Sequence, residues 1–170
     1  AGTWSEVGAT TCTDCAAGTW SADGAAACIQ CPAGTESGPG SDDVTDCITC
    51  AAGKSSVVGG TCIDCTAGTW SEVGATTCTD CAAGSVTDTL TGTGASSCTQ
   101  CAAGKWTADP KVACTDCAAG KSSAAGSDDV TDCIDCAAGK SSVAGGTCID
   151  CIAGTWSEVG ATTCTDCAAG

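Results

Sequence analysis

The chain has 170 residues and a net charge of −15, with 20 acidic residues against five basic ones, and it carries 20 Cys but no Phe, Met, Tyr or His. That charge argues against nucleic acid or an anionic membrane as a partner. The lack of His removes Ser-His-Asp and Cys-His catalysis, so the chain is expected not to be an enzyme and to need no cofactor.

No apolar run approaches the roughly 20 residues needed to cross a bilayer, so no membrane span is expected in this window. Leu, Ile and Val total only 17. That is too little bulky apolar surface to offset the roughly 1–2 kcal/mol per residue lost on ordering a backbone. Sulfur bonds or a metal have to hold such a chain together.

Along the chain, Cys-x-x-Cys pairs begin at Cys12, Cys28, Cys47, Cys62, Cys78, Cys98, Cys114, Cys133, Cys148 and Cys164. They define one continuous array, 1–170, of ten modules of about 16 residues. Every pair recurs 86 residues later, so five modules make a super-repeat present in nearly two copies. Gly40–Gly84 and Gly126–Gly170 differ only at Thr49/Asp135, Val58/Ala144 and Thr66/Ile152. Both ends fall mid-module, and the chain, which lacks an initiator Met and a signal peptide, reads as a mature product or a window of something longer.

Within a module, Thr-Trp-Ser and Thr-Thr-Cys-Thr have the bias of short strands, with Glu-Val-Gly or Ala-Asp-Gly as the turn between them. Gly18, Gly34, Gly53 and Gly68 sit three residues after a Cys pair, where a turn asks for positive φ. No segment carries a helical apolar stripe. The expected fold is a small disulfide-rich all-β repeat: an elongated rod of short irregular hairpins tied by a disulfide ladder, with almost no helix.

The cysteines admit three chemistries. A redox couple works once, at a helix N-terminus beside positive charge, which ten copies here lack. Zinc-ribbon spacing is approached, but no boundary separates one four-Cys site from the next, and the residue after each pair is not the glycine of a zinc knuckle. In an extended segment residues i and i+3 face opposite ways, so the first Cys of a pair can close the loop behind it while the second opens the loop ahead. This pairs Cys15–Cys28, Cys31–Cys47, Cys50–Cys62, Cys65–Cys78, Cys81–Cys98, Cys101–Cys114, Cys117–Cys133, Cys136–Cys148 and Cys151–Cys164. Cys12 and Cys167 are left to pair outside the window or with a neighbouring molecule. Bridging within each pair is the rival arrangement.

The pattern C-x-x-C-x-A-G-T-W-S-x-x-G-x-x-x-C-x-x-C resembles the ephrin-receptor-like cysteine-rich repeat. It is also similar to the cysteine-rich arrays of ciliate surface antigens and, more loosely, to tumour-necrosis-factor-receptor modules. The resemblance implies an extracellular rod with loop-to-loop disulfides and no particular activity. Glu36, Ser55, Val86, Ser122 and Ser141 depart from the aromatic position held by Trp4, Trp20, Trp70, Trp106 and Trp156, so their modules are expected to stack less rigidly.

Other features have plain readings. Each Trp is expected to pack on a disulfide. The insert SDDVTD offers Asp42, Asp43, Asp46 and again Asp128, Asp129, Asp132 to Ca²⁺, but without the ligand order of an EF-hand loop it reads as a solvated turn. Ser and Thr make up 43 residues and Asn is absent, which excludes N-linked glycans here and leaves O-linked ones, with Thr87, Thr89, Thr91, Thr93, Ser96 and Ser97 as candidates.

The expected function is that of a structural extracellular or cell-surface protein, a repeating segment of a filament, coat or flagellar hair that self-associates. A receptor or adhesin ectodomain binding a ligand through one module is the alternative.

Overall fold

The computed structural model describes residues 2–168. Those residues form ten two-stranded antiparallel hairpins, from Thr3–Trp4 paired with Thr13–Asp14 to Thr155–Trp156 paired with Thr165–Asp166. They contain no α-helix, only two 3₁₀ turns at Val44–Asp46 and Val130–Asp132. Two compact units hold five hairpins each: Ala1–Asp80 with Gly92–Ser97, and Cys81–Thr91 with Cys98–Gly170.

The strands are shorter than the sequence bias indicates. Most are two residues long, and the second strand of each hairpin is the x-x of the Cys-x-x-Cys pair itself, as in Ile48–Thr49 or Thr115–Asp116. That placement puts the two cysteines at opposite ends of one extended stretch. Nine disulfides result, Cys15–Cys28 through Cys151–Cys164, each joining the second Cys of one pair to the first of the next over 12 to 17 residues. Their Cα separations of 5.5–5.7 Å are the ordinary ones for such bonds. Closing a loop near 15 residues contributes about 3 kcal/mol in the chain-entropy account.

The interior is assembled from backbone and small polar groups. The cysteines that open the loops, from Cys15 to Cys136, are buried, whereas most of their partners stay half-exposed. Seven of these buried cysteines sit where two backbone bonds meet. In the first unit Cys15 N–H donates to Gly2 O at 2.9 Å, and Cys15 O accepts from Gly40 N–H, two hairpins on, at 2.8 Å. The same arrangement recurs at Cys31, Cys50 and Cys65, and in the second unit at Cys101, Cys117 and Cys136.

Among the described residues, the glycine three residues past a pair has positive φ, as at Gly53 (+83°). It also has a second duty that spacing alone does not show. A Cβ on Gly53 would lie 2.1 Å from the carbonyl oxygen of Gly94, so the close approach of one hairpin to the hairpin two on requires the missing side chain.

A hydroxyl column completes this interior. Ser21, Ser37, Ser56 and Ser71 are buried, and their Oγ atoms donate to Thr3, Thr19, Thr35 and Lys54 carbonyl oxygens at 2.8–3.0 Å. Ser123, Ser142 and Ser157 do the same in the second unit, toward Lys105, Lys121 and Lys140. Every module carries Ser or Thr at this position, three residues after its glycine. A buried hydroxyl is tolerated only when bonded, and these are.

Candidate functional site

With cysteine, glycine and serine inside, the aliphatic residues are left outside. All six Ile and nine of the ten Val are exposed, and Val7 is as open as in an extended peptide. The isoleucines occupy the strand between paired cysteines (Ile29, Ile48, Ile63, Ile134, Ile149) or the residue after a pair (Ile152). The valines crown the turns, as Val7, Val73 and Val159 do beside the exposed Glu6, Glu72 and Glu158. Single exposed aliphatics are ordinary on a protein surface. An interior that excludes nearly all of them is not, and it makes the surface the place to look for function.

All five lysines on that surface are paired with aspartates. Lys54, Lys105, Lys121 and Lys140 face Asp64, Asp116, Asp135 and Asp150 across their own hairpins, and each forms an ion pair with that aspartate. Lys111 Nζ lies 3.7 Å from Asp109. The remaining acids leave the surface strongly negative.

The candidate Ca²⁺ loops are spent on the backbone. Asp43 accepts Thr45 N–H at 2.8 Å, while Asp46 Oδ2 accepts the N–H groups of Asp42 and Asp43 at 2.9 and 3.3 Å. Asp128, Asp129 and Asp132 repeat the arrangement. This is a capping box on a one-turn 3₁₀ segment. The Thr45 and Thr131 amides hold the Asp43 and Asp129 carboxyls below the usual carboxylate range. Among the described residues no group of three or more potential ligands has a geometry that could hold a metal ion.

One predicted glycan position changes. Thr87 is 1% exposed, and its hydroxyl lies 3.1 Å from Leu90 O and 3.4 Å from Pro110 O. It is the hydroxyl-column residue of its module, three past Gly84, and no sugar can reach it. Thr89, Thr91, Thr93, Ser96 and Ser97 are exposed. Between them, Leu90 adopts φ +51°, the one non-glycine residue with positive φ among those described.

The aromatic position is filled in different ways along the array. Trp4, Trp20, Trp70 and Trp106 are half-buried and Trp156 is exposed. Where Trp is replaced, the substitutes make contacts of their own. Ser55 and Ser141 are buried, with Oγ 3.4 Å from the sulfurs of Cys78 and Cys164. Glu36 reaches 26 residues along the chain to accept Cys62 N–H at 2.8 Å.

Cys12 and Cys167 are free and exposed. No described helix is long and apolar enough to cross a membrane.

Residues 2–47 match the family described as tyrosine-protein kinase ephrin type A/B receptor-like. The match takes in the hairpins that begin at Thr3 and Thr19 and the Cys31–Cys47 loop. No curated protein matches the chain at a significant level. The match and the nine disulfides together fit an extracellular, receptor-type cysteine-rich module.

Proposed function

We propose that this chain is a structural, non-enzymatic extracellular protein whose repeated surface associates with further copies of itself into a filament or coat. The observation that carries the reading is the inversion of its aliphatics. An array held by sulfur and backbone bonds gains nothing in stability from outward Ile and Val, whereas a repeating lateral contact does. The near-identical stretches 40–84 and 126–170 present Val44, Ile48, Val57, Ile63 and Val73, and again Val130, Ile134, Val143, Ile149 and Val159, in the same order, as regular assembly requires. O-linked sugars on Thr89, Thr91, Thr93, Ser96 and Ser97 belong to the same reading, on an exposed loop of the array.

The purified chain is then expected to form filaments or sheets in electron micrographs, with a repeat set by five modules. Its intact mass is expected to fall on enzymatic removal of O-glycans. A monodisperse monomer at high concentration, with saturable binding to a separate ligand, would replace this reading by the receptor-type one, which the match over residues 2–47 favours.

A further inference from the structure

The two super-repeats differ at one contact that faces a cleft. In the first unit, Glu36 stands at the aromatic position and its carboxylate accepts the Cys62 N–H. The equivalent pair 86 residues on is Ser122 and Cys148. Both hairpins keep the same register, Glu36 opposite Ile48 and Ser122 opposite Ile134, but among the described residues neither Ser122 nor a backbone carbonyl accepts the Cys148 N–H.

A cleft of about 520 Å³ opens there instead, lined among others by Ser122, Ser127, Ile134, Ala137, Lys140 and Cys148. Its two carboxylates are already engaged: Asp135 with Lys121 at 2.7 Å, and Asp132 with the backbone amides of Asp128 and Asp129. Lys140, the one cation of the lining, is itself held by Asp150 at 2.6 Å, and Ile134 and Ala137 supply apolar wall.

We propose that this cleft is a carboxylate-binding site, and that its occupant is the glutamate of a Ser-Glu-Val-Gly turn on a second copy of the chain. The cleft lacks the one group its sister module carries, a carboxylate on a cysteine N–H. The chain displays that group three times, at Glu6, Glu72 and Glu158, each exposed and each followed by an exposed valine suited to the Ile134–Ala137 wall. The carboxylate accepts the Cys148 N–H, a charge-assisted bond, and the valine covers the apolar side.

This inference rests on the self-association reading above, and the test separates the two. Titrating the ¹⁵N-labelled chain with an acetyl-Ser-Glu-Val-Gly-amide peptide is expected to shift the Cys148 amide resonance. A Ser-Gln-Val-Gly peptide is expected to bind about tenfold more weakly, and Ser122→Glu, which fills the site from within, is expected to abolish the shift while leaving the other amides in place. A Cys148 amide that ignores the peptide, or that answers glutamine equally, overturns the site. Acetate moving it as strongly as the peptide overturns the second copy as occupant. Sedimentation of the wild type beside the Glu6→Gln, Glu72→Gln, Glu158→Gln variant reads assembly separately. Slower assembly of the variant supports the contact, unchanged assembly overturns it, and a wild type that binds peptide yet stays monomeric keeps the carboxylate site but removes the assembly reading and, with it, the second copy as occupant.

Discussion

Two successive hairpins of the first unit show how little of this architecture depends on the larger side chains. Lys54–Ser55 pairs with Ile63–Asp64, and Thr69–Trp70 pairs with Thr79–Asp80, in the same antiparallel register. The first hairpin is laced by the Lys54–Asp64 ion pair at 2.5 Å and tucks Ser55 against the Cys78 sulfur. The second has no lysine; Thr69 donates to the Thr66 carbonyl at 2.8 Å, and the Trp70 backbone bridges to Ala95. Yet both keep the same disulfide closure, the same left-handed glycine and the same buried serine at 56 or 71. What is common carries the fold, and what differs decorates it.

The sharpest way to break that comparison is to open each hairpin's own bridge. Cys50→Ser with Cys62→Ser, and separately Cys65→Ser with Cys78→Ser, are each expected to cost about 3 kcal/mol in denaturant titrations read by amide dispersion. The two losses are expected to match, despite the tryptophan in one hairpin. A much smaller loss in the Trp70 hairpin would give the ring a structural weight denied to it above.

Next in size is a contrast between two glycines 86 residues apart. Gly53→Ala drives a Cβ into the Gly94 carbonyl, while Gly139, at nearly the same φ, has nothing within 4 Å of that position. Gly139→Ala is expected to cost about 1–2 kcal/mol for the left-handed backbone. Gly53→Ala adds an overpacking cost of about 1–3 kcal/mol to that. Equal losses would show that the close approach at Gly53 is relieved cheaply.

Ser71→Ala removes a hydroxyl that donates to Lys54 O at 2.9 Å and leaves that carbonyl short of a partner. A loss of about 1 kcal/mol is expected, read by hydrogen exchange in both hairpins. Lys54→Ala is expected to cost under about 0.5 kcal/mol, since the pair is well exposed and screened by salt.

The smallest effect is a pH response. The folded Asp43 carboxyl titrates below its unfolded value because it accepts the Thr45 amide. Its capping contribution is therefore fully present above the unfolded value of about 3.9 and is lost as pH falls through the lower folded value. Protection of the Thr45 amide, its exchange measured against the intrinsic rate at each pH, is expected to fall in that acid range in the wild type and to be low at all pH values in Asp43→Ala.

Much of this was legible in the sequence because covalent geometry is written in cysteine positions. The 86-residue period, the hairpin repeat and the scarcity of helix all follow from where Cys and Gly fall. The hydroxyl column was equally regular, present at every Gly+3 position, but a serine after a tryptophan reads as strand or surface, and only the approach of a neighbouring hairpin makes it interior. For the same reason Thr87 looked like one more hydroxyl in an exposed loop. Glu36 is visible in the sequence as a departure from the aromatic position, but its contact is not, because the partner lies 26 residues away on another hairpin, where no local pattern points. The outward Ile and Val were hidden by ordinary alternation rules, which assume that a buried face is apolar.

In the Ser-Glu-Val-Gly turns, the Glu-Val tips stand apart from the backbone bonds that join one hairpin to another, which use the glycine and the residue after it, as at Gly74 and Ala75. Loop spans already vary from 12 residues in Cys50–Cys62 to 17 in Cys81–Cys98 without disturbing the strands on either side. Such a scaffold separates what is presented from what presents it. New peptide segments grafted between the buried serine and the turn glycine should therefore be carried at fixed intervals by an unchanged sulfur-linked frame, and the frame could diversify its exterior by insertion without relearning how to fold.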